Sequence, residues 1–103
     1  MSLTVMMIAL GMSAQSADSV TGPRMRFDEC LDQRVAAAKQ QRQSSEEFRR
    51  SIRTACAAEA REFRNALVAY DKSTGQDSRE AEQWADQDVN DHRDAAARRY
   101  ERD

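Results

Sequence analysis

The chain has 103 residues, with 16 basic and 18 acidic side chains and a net charge of −2, which is room for one small domain. The length excludes a multidomain enzyme, and the charge balance excludes a strongly basic nucleic-acid-binding protein. Gly11, Gly22 and Gly75 lie too far apart to form a glycine-rich phosphate-binding loop.

Residues 1–17 are set apart from the rest of the chain because they carry no charged side chain. The apolar run from Leu3 to Met12 is too short to span a bilayer, but it is typical of a secretory signal peptide. Small residues follow it, so we predict a signal peptide over residues 1–17 with cleavage near Ser16 or Ala17. The usual basic residues before the run are absent, which leaves a buried apolar N-terminal helix of a cytosolic protein as the alternative.

Residues 18–103 are predicted to form a single helical domain with a thin core. Only ten of these residues are Val, Ile, Leu or Phe, a share below the ~20% under which disorder is suspected. However, the strong helix formers Ala, Arg, Glu and Gln are abundant, and β-branched residues are scarce. We therefore expect an all-α fold, with a disulfide-stapled antiparallel helical hairpin and a third helix in a small bundle.

The first two predicted helices, over residues 24–42 and 45–71, form the hairpin. Gly22 and Pro23 predict the start of the first, since proline is favoured at the first helical position. Ser44 and Glu47 form a capping-box pattern at the start of the second, and Gly75 provides its stop. Both helices carry apolar side chains at i, i+3, i+4 spacing: Phe27, Cys30, Leu31, Val35 and Ala38 on the first, and Phe48, Ile52, Ala55, Cys56, Ala60, Phe63, Leu67 and Tyr70 on the second.

The third predicted helix, over residues 78–102, has the weakest apolar stripe. Asp77 and Glu80 predict its N-terminal cap. The stripe comprises Ala81, Trp84, Ala85, Val89, His92, Ala96 and Tyr100. Because the stripe is thin, we expect Trp84 and Tyr100 to need another chain to become buried.

Cys30 and Cys56 are equally far from the turn predicted at residues 42–44. Residues equidistant from the turn of an antiparallel hairpin lie at the same height, and both cysteines lie on apolar faces. We therefore predict a structural disulfide, as expected in an exported protein. Two buried reduced cysteines, or a metal site that also uses His92, are the alternatives. The lack of a closely spaced cysteine pair disfavours the metal.

No motif for catalysis, a metal or a cofactor is found. The segment that begins at Asp86 resembles the start of an EF-hand loop, but Asp91 stands where glycine is needed and Ala97 where glutamate is needed. Asp88 and His92 could share one helix face, but no third ligand can be named. Since no nucleophile lies beside a base, we predict no enzyme, metal or cofactor.

The charge distribution favours a protein partner over nucleic acid. Arginines and glutamates alternate along the second predicted helix, which indicates a solvated face. Residues 76–103 carry five basic and nine acidic side chains, and this asymmetry can steer association. The leading hypothesis is an exported protein, periplasmic or extracellular, without a stable membrane span. We expect it to have a non-enzymatic binding or structural role in the cell envelope and to contact a protein partner through its helix faces. The alternative is a periplasmic stress chaperone, activated by acid or unfolded proteins; the oligomeric state is not predicted.

Overall fold

A computed structural model describes residues 18–102 of the chain, and the predicted signal peptide lies outside the described residues. Within this range the protein consists of helices, and no strand occurs there. The four helices are α1 (Asp18–Gln40), α2 (Ser45–Ile52), α3 (Ala57–Ser73) and α4 (Ser78–Arg102). The predicted all-α fold class is therefore confirmed.

The first helix differs from its predicted bounds at both ends. Helix α1 already includes Asp18, and Pro23 lies within it rather than at its start. Val20, in the turn before the proline, is buried, and this apolar contact supports a turn that proline would otherwise weaken. Helix α1 ends at Gln40 because Arg42 adopts a left-handed conformation, with φ 57°, and closes a Schellman motif.

The prediction of one continuous second helix over residues 45–71 is wrong. Residues 53–56 separate α2 from α3, although this segment contains neither glycine nor proline. Cys56 is in the left-handed region, with φ 59° and ψ 44°, which costs a non-glycine residue about 1–3 kcal/mol. The disulfide at Cys56 and a hydrogen bond of 2.7 Å from Arg93 Nη2 to the Ala55 carbonyl hold the break. Tertiary contacts therefore override a locally good helix sequence.

This break decides which helix pairs with α1. Helix α3 runs antiparallel to α1, since Cys30 meets Cys56 and Arg26 meets Glu62 further along. The short helix α2 instead packs on the end of α4, where the ring of Phe48 stacks on a tyrosine ring. The hairpin is thus formed by α1 and α3, with α2 as a helical connection that covers the end of the bundle.

The core is small and closely packed. Its largest fully buried side chains are Phe27, Leu31, Phe48 and Phe63. Helix α4 contributes mainly alanines to its buried face: Ala81, Ala85, Ala96 and Ala97. Small side chains let α4 approach its neighbours, which is how a chain poor in large apolar residues still forms a core.

The two aromatic residues of α4 have different environments. Tyr100 is only 8% exposed, because it stacks on Phe48 with ring centroids 4.3 Å apart. Its hydroxyl donates a hydrogen bond to the Gln43 carbonyl. The expectation that Tyr100 needs another chain for burial is therefore wrong. Trp84 is 59% exposed, and Ala85 takes its place on the buried face.

The local capping signals are confirmed. The Ser44 hydroxyl accepts from the Glu47 amide at 3.1 Å, and the Glu47 carboxylate accepts from the Ser44 amide at 2.9 Å. The hydrogen bond from the Ser44 backbone amide is the main cause that lowers the pKa of the Glu47 carboxyl, and the Ser44 side chain lowers this pKa further. Asp77 accepts from the Glu80 amide at the start of α4. Gly75 has φ 99° after α3.

Over residues 18–102, no helix is both long enough and apolar enough to cross a membrane.

Candidate binding groove

The predicted pairing of the cysteines is confirmed. The sulfur atoms of Cys30 and Cys56 are bonded at 2.07 Å, and the Cα atoms lie 6.1 Å apart. The bond ties the middle of α1 to the residue just before α3. Cys30 and Cys56 are thus the predicted pair, although Cys56 lies in the break before α3 rather than on a continuous helix.

A carboxylate lies beside the disulfide. One Glu59 oxygen and the two sulfur atoms all lie within 4.8 Å of one another. As the sulfurs are bonded to each other, they are not the thiolates that a metal would need. The sequence-based alternative of a metal site with His92 named the wrong neighbour, since Glu59 is the residue near the sulfurs.

His92 has a different partner from the one that its spacing indicates. Its Nδ1 lies 2.7 Å from an Asp28 carboxylate oxygen, and its ring packs against Phe27 and Phe63 at centroid distances of 5.9 and 5.0 Å. His92 therefore links α4 to α1. It does not share a hydrogen bond with Asp88, which lines the groove described below.

The acidic segment that resembles the start of an EF-hand loop is part of α4. Arg64 Nε donates to the Asp86 carboxylate at 2.6 Å, and this hydrogen bond, partly opposed by burial, raises the pKa of the guanidinium. The segment is thus helical, and its first carboxylate joins α4 to α3.

Ion pairs connect the helices around the core. Arg26 on α1 binds the Glu62 carboxylate on α3 through two hydrogen bonds, of 3.0 and 2.9 Å. These hydrogen bonds hold the pKa of the Glu62 carboxyl below its ordinary value. The other close ion pairs across helices are Arg49–Glu101, Arg64–Asp86 and Arg99–Asp32. His92 and Asp28 form a further polar pair through their hydrogen bond.

A groove lies between the start of α1, the end of α3 and the first half of α4. Its volume is about 560 Å³, within the usual range for ligand sites, about 300–1,000 Å³. The groove is lined by Val20, Thr21 and Arg24 from α1, Leu67, Tyr70 and Asp71 from α3, Gln76 from the loop, and Trp84, Gln87, Asp88 and Asp91 from α4. We call this surface the Trp84 groove.

The Trp84 groove combines apolar surface with negative charge. Val20 is buried, and Leu67 and Tyr70 are half-buried. Among residues 18–102, Trp84 is one of two large apolar side chains that are mostly exposed. The sequence places Trp84 on the apolar stripe of the third predicted helix but contains no signal for the groove. Trp84, Asp88 and Asp91 are spaced i, i+4, i+7, which places them on one face of α4, but which residues of α1 and α3 face them depends on the tertiary structure.

A second depression, of about 340 Å³, lies between α2 and α4 and includes Arg49, Arg53 and Arg93. Two of these arginines already have partners within the fold. Arg49 pairs with Glu101, and Arg93 donates to the Ala55 carbonyl while its guanidinium lies 5.6 Å from the Phe27 ring centroid. Burial lowers the pKa of Arg93. These contacts are structural, so the Trp84 groove is the better candidate site.

The chain was compared with protein-family models, curated proteins and solved structures, and none of the three comparisons found a match.

Proposed function

We propose that this chain is an exported, non-enzymatic binding protein of the cell envelope that holds a protein partner in the Trp84 groove. The observation that carries the proposal is the exposed Trp84 beside half-buried Leu67 and Tyr70. Aromatic side chains are enriched where proteins bind partners, since they bury a large area and lose little conformational entropy.

Export is supported by two independent features of the chain. Residues 1–17 are uncharged and contain an apolar run, and Cys30 is bonded to Cys56. Disulfides persist in oxidising compartments and are rare in the cytosol. A mature domain over residues 18–103 in the periplasm or outside the cell accounts for both features.

Intact mass spectrometry of the protein from its native host tests export. The expected mass lacks residues 1–16 or 1–17 and increases by two hydrogens on reduction. A full-length mass with two free thiols would refute both export and the disulfide.

Site-specific photo-crosslinking in the native host tests partner binding. A photoreactive phenylalanine analogue in place of Trp84 should yield a discrete adduct with one partner. The same analogue in place of Arg79, which is exposed on α4 but outside the groove lining, is the matched control. Absence of an adduct at position 84, or equal adducts at both positions, would refute binding through this groove.

The acid-activated chaperone is the second candidate, and the ion pairs between helices favour it. Each of the five close pairs uses a carboxylate: Glu62, Glu101, Asp86, Asp28 and Asp32. Each exposed pair adds little stability by itself, but protonation of the carboxylates in strong acid would remove all five. The helices would then separate while the disulfide still joins α1 to the start of α3.

Dye binding and client aggregation distinguish the two candidates. A chaperone should bind a hydrophobic dye and suppress the aggregation of an acid-unfolded client at pH 3, with neither effect at pH 7. A protein that remains closed to the dye at pH 3 is not an acid-activated chaperone of this kind.

A further inference from the structure

The carboxylates of the Trp84 groove differ from those at the helix interfaces. Asp71, Asp88 and Asp91 line the groove, and none of them forms an ion pair with another residue in the range 18–102. The carboxylates between helices, by contrast, have arginine or histidine partners. The groove therefore has negative charge that the described fold does not neutralise.

The one basic residue of the lining does not balance this charge. Arg24 lies on the α1 side of the groove, with its guanidinium carbon 5.6 Å from the centroid of the Phe63 ring. Three carboxylates against one guanidinium leave the lining with a charge of −2. A partner of positive charge is complementary to this surface, and a partner of negative charge is repelled.

The aromatic residues of the groove favour the same kind of partner. Cations bind over the faces of aromatic rings, and tryptophan is the best of the aromatic side chains for this contact. Trp84 is 59% exposed, so one of its surfaces is open to such a group. Asp88, one helical turn further along α4, can hold the cation at the edge of the ring.

We propose that the Trp84 groove binds an arginine- or lysine-bearing segment of its protein partner, in which apolar residues flank the basic ones. The apolar residues of the segment cover Leu67 and Tyr70, and its cations lie between Trp84 and the three carboxylates. A segment with both kinds of side chain fits the lining better than a small polyamine, which leaves the apolar part uncovered. This inference rests on the proposed function, because it specifies the partner of the same groove.

Tryptophan fluorescence measures this binding directly, since Trp84 is the only tryptophan of the chain. The probe is an acetylated, amidated eight-residue peptide of alternating leucine and arginine, titrated into the oxidised protein purified from its native host. We expect a saturable blue shift at low salt that weakens as salt is added. The matched probe has glutamate in place of arginine and should produce no shift.

Substitutions in the groove test the role of its carboxylates. The double variant Asp88→Asn and Asp91→Asn should bind the arginine peptide at least about tenfold more weakly, which corresponds to ~1.4 kcal/mol. Asp94→Asn removes an exposed carboxylate of α4 outside the lining and should leave binding unchanged. Circular dichroism verifies that the variants keep the helical fold.

Four outcomes would overturn the inference. Equal binding of the glutamate peptide would mean that the groove recognises apolar surface only. Full competition by spermidine at the same affinity would mean a site for small cations. Equal loss in the Asp94 variant would mean a general charge effect, and the lack of any shift would mean no such recognition. If crosslinking at position 84 still identifies a partner in any of these cases, the proposed function stands and only the chemistry assigned to the partner is wrong.

Discussion

Removal of the disulfide is the perturbation whose effect follows most directly from the structure. Cys30 and Cys56 are 26 residues apart in sequence. In the chain-entropy model, closing a loop of this length stabilises the folded state by about 3.5 kcal/mol. That is a large share of the stability of a small domain, about 5–15 kcal/mol. For a domain of this size the loss corresponds to a melting temperature lower by about 14–28 °C.

Urea denaturation followed by circular dichroism measures this loss in two ways. Reduction of the wild-type protein breaks the bond and keeps both side chains. The double variant Cys30→Ala and Cys56→Ala breaks the bond and also removes two sulfur atoms, of which the one on Cys56 belongs to a buried residue. Reduced wild type should therefore lose about 3.5 kcal/mol, and the alanine variant should lose about 1 kcal/mol more for lost packing.

The refuting result is a small difference between the oxidised and reduced wild type. If their free energies of unfolding agree within about 1 kcal/mol, the cross-link does not constrain the unfolded chain as the loop model requires. A second variant, Cys30→Ala with Cys56→Gly, examines the backbone at the break. Glycine tolerates the positive φ of position 56, so this variant should be about 1 kcal/mol more stable than the double alanine variant.

Three further predictions concern the caps, Tyr100 and acid. Arg42 and Gly75 follow α1 and α3 at positive φ, where glycine is favoured. Arg42→Gly should therefore raise the free energy of unfolding in urea by about 0.5–1 kcal/mol, and Gly75→Ala should lower it by a similar amount. Changes of the same sign in the two variants would contradict this. Tyr100→Phe removes the hydroxyl that donates to the Gln43 carbonyl. The free energy of unfolding should fall by about 1–2 kcal/mol, measured by thermal unfolding. An unchanged melting temperature would show that this hydrogen bond is not stabilising. Hydrogen bonds from Arg26 lower the pKa of the Glu62 carboxyl in the folded state. Their stabilising effect is therefore fully present above the pKa of the unfolded chain, about 4.3. The effect is lost as the pH falls through the pKa of Glu62 in the folded protein. Glu62→Gln should therefore make the urea midpoint less dependent on pH between about pH 6 and pH 2, and an identical pH dependence in variant and wild type would refute the pairing.

Local signals in the sequence predicted the caps and the buried faces well. Ser44 and Glu47 form the predicted capping box, and Gly75 has the predicted positive φ. Phe27, Leu31 and most other residues of the two predicted hairpin faces are buried or half-buried. These features depend on neighbours within one or two helical turns, so the spacing of residues along the chain is enough to predict them.

Features that depend on several helices were missed. Residues 53–56 contain no helix breaker, yet the chain turns there because a disulfide and Arg93 hold Cys56 and Ala55. Tyr100 was predicted to need another chain, since nothing in the sequence indicates that α2 would turn away from α1 and present Phe48 to it. The Trp84 groove was missed for the same reason, because its lining comes from three helices and one loop.

The sequence by itself determined the helical class, the N-terminal caps of α2 and α4, the stop of α3, the apolar faces and the partnership of Cys30 with Cys56. Each of these follows from residue type and short-range spacing, which act before distant parts of the chain meet. Only the tertiary structure decided the break before α3, the pairing of α1 with α3 and the place of Leu67 and Tyr70 in one groove with Trp84. Those depend on long-range packing, which favours a bent chain with more buried contacts over the straight helix that local propensity prefers.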